Sequence, residues 1–248
     1  MPLTRPVRKP RGVFITGTDT EVGKTIVTAT VVTALKKHRI DAGVMKPIAT
    51  GLVASTAGLS DPDWLASVTG SGDAPELVAP YRFPLPATPL VAATHAGTAI
   101  DPTRITQALL ELSARHDVVV VEGIGGVLVP VTTDLFIVDL IQTMGLPALL
   151  VTRSGLGSIN HTLLTLECLR SRGVPILGLV FNTPTRPSAD TDMSETLPTI
   201  LRLSGVRSFG ELPYCEGLPS TWEQHQETLI ARLDVPDLLD ALGLRGMA

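Results

Sequence analysis

Lys24 follows a glycine, precedes a threonine and closes the run Gly17-Thr-Asp-Thr-Glu-Val-Gly23-Lys24-Thr25. A short apolar stretch, residues 13–16, leads into this run, and residues 25–37 continue from it with helical periodicity. A glycine-bearing turn between strand and helix aims backbone N–H groups at phosphate oxygens, and the positive end of the helix adds to the pull. In such a loop Lys24 reaches the β- and γ-phosphates of a nucleoside triphosphate, and the Thr25 hydroxyl is a ligand for Mg²⁺. The run departs from the common form in one place. The glycine expected five positions before Gly23 is Thr18, and a glycine stands one position earlier, at Gly17.

Two other groups fit the same chemistry. Glu122 ends the run Val118-Val-Val-Val121 and is followed by Gly123-Ile-Gly125-Gly126. An acidic side chain at the carboxyl end of a parallel strand faces the crevice where open α/β sheets bind ligands, so Glu122 is a candidate Mg²⁺ ligand, direct or through water. Lys46, in Met45-Lys46-Pro47-Ile-Ala-Thr50-Gly51, follows a second apolar stretch and would project over the same edge. A second cation there suits a reaction in which negative charge grows between a γ-phosphate and an oxyanion acceptor.

The elements that must position these residues read as alternating strands and helices. Residues 13–16, 43–45, 118–121, 148–151 and 176–181 are short apolar runs, that at 118–121 β-branched throughout, as in strands buried on both faces. Residues 25–37, 61–68, 101–115, 158–170, 197–203 and 223–233 carry helical patterning, with a further strand near 206–209. Asp101-Pro102 is a good helix start, a capping side chain before a first-turn proline. The stretch 70–97 is rich in proline and glycine and reads as irregular. The alternation predicts an α/β fold with a mostly parallel sheet and helices on both faces, in one domain over residues 12–248.

Composition narrows the function classes. Of 248 residues 44% are hydrophobic, enough for a large core. Aromatics are 4% and the formal net charge is −4, so neither base stacking nor broad phosphate neutralisation points to a nucleic-acid partner. No apolar run approaches the ~20 residues that span a bilayer, so no membrane association is expected. Residues 1–11 are basic and proline-rich, lack the apolar core of a secretory signal and read as a disordered tail. Cys168 and Cys215 stand far apart with no metal-spaced histidine, as inert thiols in a reducing compartment. The expected location is the cytoplasm.

Taken together, these motifs resemble the dethiobiotin synthetase family. The loop at 17–25 matches that family's form of the phosphate loop, displaced glycine included. Lys46-Pro-Ile-Ala-Thr-Gly51 resembles its lysine motif and Val121-Glu-Gly-Ile-Gly-Gly126 its metal and phosphate motif. Gly155-Leu-Gly-Ser-Ile-Asn-His161 resembles the segment that reaches substrate across the dimer interface, and Gly178-Leu-Val-Phe-Asn182 and Gly210-Glu-Leu-Pro-Tyr214 its two base-binding segments. The resemblance runs from about residue 13 to 213 in the family's order. It implies a homodimer of seven-stranded subunits of the P-loop NTPase type that joins 7,8-diaminononanoate, CO₂ and ATP into dethiobiotin, ADP and phosphate.

The resemblance also assigns roles. Lys24 and Lys46 would be catalytic, stabilising phosphates and carbamate. Thr25, Asp63 and Glu122 would hold Mg²⁺. Asp63 is preferred to Asp61 because it lies 17 residues after Lys46 and Leu65 follows in the matching place. Thr20, Glu21, Val22, Gly23 and Ile26 would line the nucleotide with Lys24 and Thr25, joined by Gly123, Ile124 and Gly125. Asn182, Thr183, Pro213, Tyr214 and Cys215 would approach the base, although Thr183 replaces a common acidic residue and the sequence after Pro213 departs from the family. Thr50, Glu21, Gly157 and Asn160 would contact the organic substrate. His161 stands near the partner's site or makes local helix-start hydrogen bonds.

Two relatives of this loop point elsewhere. Cobyrinate-type amide synthetases carry an extra glutamine-hydrolysing domain, for which the chain has no room. Partition-type regulatory ATPases carry a lysine five positions before the conserved-type lysine, where Asp19 stands here.

Overall fold

The computed structural model describes residues 10–52, 59–187 and 194–247. The expected tail therefore lies outside the described residues except for Pro10 and Arg11. The chain runs β1 (Gly12–Gly17), α1 (Lys24–Lys37), β2 (Ala42–Met45), β3 (Ile48–Thr50), α2 (Asp61–Thr69), α3 (Pro75–Val78), β4 (Tyr81–Phe83), α4 (Pro89–His95), α5 (Pro102–Arg115) and β5 (Val118–Gly126). It continues α6 (Ile137–Met144), β6 (Ala148–Arg153), α7 (Ser158–Ser171), β7 (Ile176–Asn182), α8 (Thr196–Ser204), β8 (Ser208–Leu212), α9 (Trp222–Ile230) and α10 (Val235–Ala241).

Six strands form one parallel sheet in the order β2-β5-β1-β6-β7-β8. Alternation along each strand divides the core in two. Val13, Ile15, Val118, Val120, Leu149 and Val151 face α1, α2, α9 and α10, whereas Phe14, Val119, Val121 and Ala148 face α4, α5 and α6. Leu150, Leu179 and Phe181 pack with Leu166 of α7 and Ile200 of α8. Burying a side chain of this size fully is worth about 1.5–3 kcal/mol, so each face holds its helices firmly. Helices therefore cover both faces of the sheet, as the continuous apolar runs require.

The seven-stranded sheet implied by the resemblance is not what forms among the described residues. Six strands make the main sheet, and β3 and β4 pair separately, in parallel, Ala49 opposite Arg82 and Thr50 opposite Phe83. The stretch 70–97 is less irregular than its composition suggests, since it holds α3, β4 and α4. Pro75 and Pro89 sit in the first turn of their helices, where a missing N–H costs nothing. Helix α10 is absent from the sequence reading. It is short, and Asp234 caps it by accepting from the Asp237 amide.

Candidate active site

Register explains why the site exists. Met45 lies opposite Val121, and Ile15 opposite Glu122, so Lys46, Glu122 and the start of the phosphate loop arrive side by side at the carboxyl edge. Lys46 shares the parity of Val44, and Glu122 that of Val120, so both side chains leave the sheet on the α1 face. Helix α1 opens there with Lys24 and Thr25. The β1–β5 pairing slips after Ile15, and β5 continues through Gly126 beside Gly17.

The loop between β1 and α1 folds tightly on itself. A Cβ at position 17 would stand 2.9 Å from the Asp19 carbonyl and 2.8 Å from Val22 Cγ2, so the displaced glycine is where this loop needs one. Gly23 takes φ 90°, and a Cβ there would meet the Asn182 amide nitrogen at 2.0 Å. Glu21 also lies in the left-handed region, at φ 57°. Thr18 N–H donates to the Val151 carbonyl at 3.1 Å, which ties the loop to β6.

A cleft of about 330 Å³ opens above this loop, lined by Thr20, Glu21, Gly23, Lys24, Thr25, Lys46, Thr50, Asp61, Glu122, Gly123, Ile124 and Gly125. Inside it, Glu122 is 1% exposed. Its Oε1 accepts from the Thr25 hydroxyl and from Lys46 Nζ, each at 2.8 Å. Lys46 Nζ also donates to Asp61 Oδ2 at 2.5 Å. Lys24 Nζ donates to the Asp19 carbonyl at 2.7 Å. Burial strips charge from Lys24, partly offset by Glu122, and leaves its pKa at about 8. Burial acts on Lys46 too, but Glu122 and Asp61 outweigh it and hold that pKa above the ordinary lysine value.

Glu122 Oε2 is buried and has no hydrogen-bond partner among the described residues. An orphaned carboxylate oxygen beside a hydroxyl and a second carboxylate is a set of hard donors that suits Mg²⁺. Among the described residues no group of three or more His, Cys, Asp and Glu converges as a protein-only cage. Mg²⁺ takes one or two carboxylates and completes its shell with water and phosphate oxygens, so the residues present fit it.

The structure separates the two aspartates that the sequence weighed against each other. Asp63, preferred from spacing, turns away: its Oδ1 pairs with Arg82 Nη1 at 2.8 Å and its Oδ2 accepts from the Ser60 hydroxyl. Asp61 is the carboxylate brought to Lys46 and the cleft. Both residues lie in the first turn of α2, so the helix's rotation sets which carboxylate meets Lys46.

Other expected residues scatter around the site. Asn182, at the end of β7, is buried and donates to the Val22 carbonyl at 2.9 Å, so its amide nitrogen supports the phosphate loop. Val22 is buried beneath the loop, and Ile26 packs on the α1-side core. Thr183 lines a neighbouring cleft of about 600 Å³ with Gly155, Leu156, Arg186 and Glu211. Tyr214 lies beneath the Arg186 guanidinium at 5.9 Å, and Cys215 packs on the core, where burial raises its thiol pKa. Neither they nor Pro213 line the phosphate cleft. Gly157, at φ 86°, precedes α7, and Asn160 lies in that helix's first turn. Both stand outside the cleft of their own chain.

A family model described as an AAA domain matches residues 11–221. A protein from Anaeromyxobacter dehalogenans (strain 2CP-C), named ATP-dependent dethiobiotin synthetase BioD, is 42% identical over 204 residues, covering 82% of this chain and 90% of that protein. One of the same name from Thermodesulfovibrio yellowstonii is 37% identical over 238 residues, covering 92% and 98%. This chain belongs to the dethiobiotin synthetase family. The bifunctional biotin biosynthesis protein BioCD of Bordetella avium matches at 42% identity, with 86% of this chain and 40% of that protein covered. Among solved structures, a ParA family ATPase from Chlorobium tepidum superposes with TM-score 0.52 at 18% identity, each chain 94% covered. The MinC:MinD complex of Aquifex aeolicus gives 0.55 at 16%, again with 94% of each chain covered. Those likenesses show that the dethiobiotin synthetase family shares the P-loop NTPase fold. No helix among the described residues is long and apolar enough to cross a membrane.

Proposed function

We propose that this chain is an ATP- and Mg²⁺-dependent dethiobiotin synthetase, closing a ureido ring from 7,8-diaminononanoate and CO₂ while ATP becomes ADP and phosphate. One observation carries the reading. Two buried lysines and a buried glutamate converge at a phosphate loop, in a cleft whose lining among the described residues holds no cysteine, serine or histidine. Such a site offers charge and orientation, which suits a reaction whose nucleophiles both come from the substrate.

In this scheme one substrate amine adds to CO₂ to give a carbamate. A carbamate oxygen attacks the γ-phosphorus as the bond to ADP breaks. The second amine then attacks the carbonyl carbon and phosphate leaves. Lys24 would hold the β/γ-phosphates, and Lys46, already charged against Glu122 and Asp61, would stabilise the phosphoryl group and the carbamate. Thr50 would hydrogen-bond the carbamate or amine, and Glu21 the substrate. Thr25, Glu122 and Asp61 would hold Mg²⁺, which supplies charge to neutralise the β- and γ-oxygens.

Residues 12–248 act in this proposal as one synthetase domain of a cytoplasmic homodimer. Leu156, in the turn before α7, is 97% exposed, and Leu164 on that helix is exposed as well. Apolar groups presented there support α7 as an interface element that lends Gly157 and Asn160 to the partner's site. The test is phosphate release with and without diaminononanoate and bicarbonate. Turnover should require both; equal release without the diamine refutes the synthetase and favours a nucleotide switch.

A further inference from the structure

Helix α2 opens with two carboxylates that go different ways. Asp61 reaches Lys46, while Asp63 has both oxygens engaged, Oδ1 by Arg82 Nη1 at 2.8 Å and Oδ2 by the Ser60 hydroxyl. Packing does not fix either one, since their side chains are 60% and 40% exposed. Arg82 is better anchored. It lies on β4 between Tyr81 and Phe83, both in the core, and its Nε is buried without a partner among the described residues. Strand β3, paired with β4, carries Thr50 into the cleft. One small sheet therefore supports a cleft residue with β3 and grips the first turn of α2 with β4.

We infer that Arg82 is a positioning residue for the metal site: it grips Asp63 and so fixes the turn of α2 that aims Asp61 at the cleft. The argument rests on the reading above, in which Asp61 is an oxygen ligand for the divalent cation. Without Arg82, the first turn keeps, among the described residues, only the Asp61–Lys46 contact as a polar tether to the sheet. That contact joins Lys46 to the same carboxylate the cation needs, so it cannot also hold the turn for the cation. Arg82 touches neither and is free to hold the helix in both circumstances. Its charge also offsets that of Asp63, two residues from Asp61 on the same turn.

The test uses the full chain with Mn²⁺ as probe and a non-hydrolysable ATP analogue, metal affinity being read by electron paramagnetic resonance and thermal unfolding followed in parallel. Arg82→Gln and Asp63→Asn should each weaken Mn²⁺ binding about three- to fivefold, the range of a partly exposed ion pair. The double variant should be no weaker than the worse single, because both changes cut one link. Arg82→Lys should stay within about twofold of the parent, since the contact runs through one nitrogen. At saturating metal kcat should hold within about twofold in Arg82→Gln and Arg82→Lys. Asp61→Asn separates the two layers of the argument. If it weakens Mn²⁺ while Arg82→Gln only lowers the unfolding temperature, the positioning role is overturned and the ligand assignment stands. If Asp61→Asn leaves Mn²⁺ unaffected, the ligand assignment falls and this inference with it. Additive losses in the double variant also overturn it.

Discussion

Lys24 and Lys46 are the same residue type a few ångströms from the same glutamate, yet their environments pull them apart. Lys24, buried and hydrogen-bonded to a loop carbonyl, is held at about 8, whereas Lys46 sits between two carboxylates and stays firmly charged. Lys24→Ala should abolish phosphate release in the diamine assay, a loss of at least about 100-fold, because phosphate-directed charge acts in the transition state. Unfolding temperature should barely move, since the side-chain hydrogen bond of Lys24 among the described residues runs to its own loop. Retained turnover would remove Lys24 from the site. Glu122→Gln and Asp61→Asn should each raise the Mg²⁺ concentration for half-maximal rate, Glu122→Gln by more, because its orphaned Oε2 is the buried oxygen. An unchanged requirement in Glu122→Gln would refute its role.

At the scale of elements, the phosphate loop owes its shape to β7 as well as to its own glycines. Asn182 supports the Val22 carbonyl, and its amide presses where only Gly23 fits. Asn182→Ala should therefore weaken ATP and bare inorganic triphosphate alike, each by roughly tenfold, the cost of leaving a buried carbonyl unpaired. Isothermal titration with the two ligands distinguishes this from base recognition, which would spare triphosphate. A second device lies at the opposite edge of the sheet. His116, at the end of α5, meets Asp41 before β2 through Nδ1 at 2.9 Å and Asp73 after α2 through Nε2 at 2.8 Å, with Arg115 also near Asp73 at 3.5 Å. Burial opposes its charge, but hydrogen bonds and attraction from Asp41 and Asp73 raise its pKa above the usual 6.5. A raised folded-state pKa means stability fully present below 6.5 and lost as pH climbs through the folded value. Heating scans from pH 6 upward should show that loss, on the order of 1 kcal/mol or roughly 2–4 °C in Tm. His116→Gln should flatten it, and an identical pH profile in that variant would refute the assignment.

For the whole molecule, the question is whether one chain makes one site. Gly157 and Asn160 stand outside the cleft of their own chain, beside the exposed Leu156, and a two-fold dimer would place each of them at the partner's cleft. Asn160→Ala should weaken diaminononanoate binding while leaving ATP binding nearly unchanged. Mixing Asn160→Ala with Lys24→Ala under subunit exchange sharpens the test. With shared sites, one site in each mixed dimer carries both lesions and the other carries neither, so mixed dimers recover about half the activity per dimer. No recovery would show that Asn160 serves its own chain.

The sequence by itself determined the phosphate loop, the parallel sheet with helices on both faces and the arrival of Lys46 and Glu122 at one carboxyl edge. These follow from local pattern: apolar runs of strand length, a glycine-lysine-threonine run between strand and helix, and acid or base at strand ends. It also placed Gly17, whose reason appears only when Val22 and the Asp19 carbonyl fold back onto it. Only the tertiary structure shows Asp61 on Lys46 and Asp63 on Arg82, because two residues apart on one helical turn differ in direction and not in local chemistry. It showed Asn182 bracing the loop through the Val22 carbonyl, and revealed β3 after Lys46 and β4, with Arg82, within the proline-rich stretch 70–97. In each case the deciding contact joins residues far apart in the chain, and no spacing in the sequence records which way a side chain turns when the elements pack.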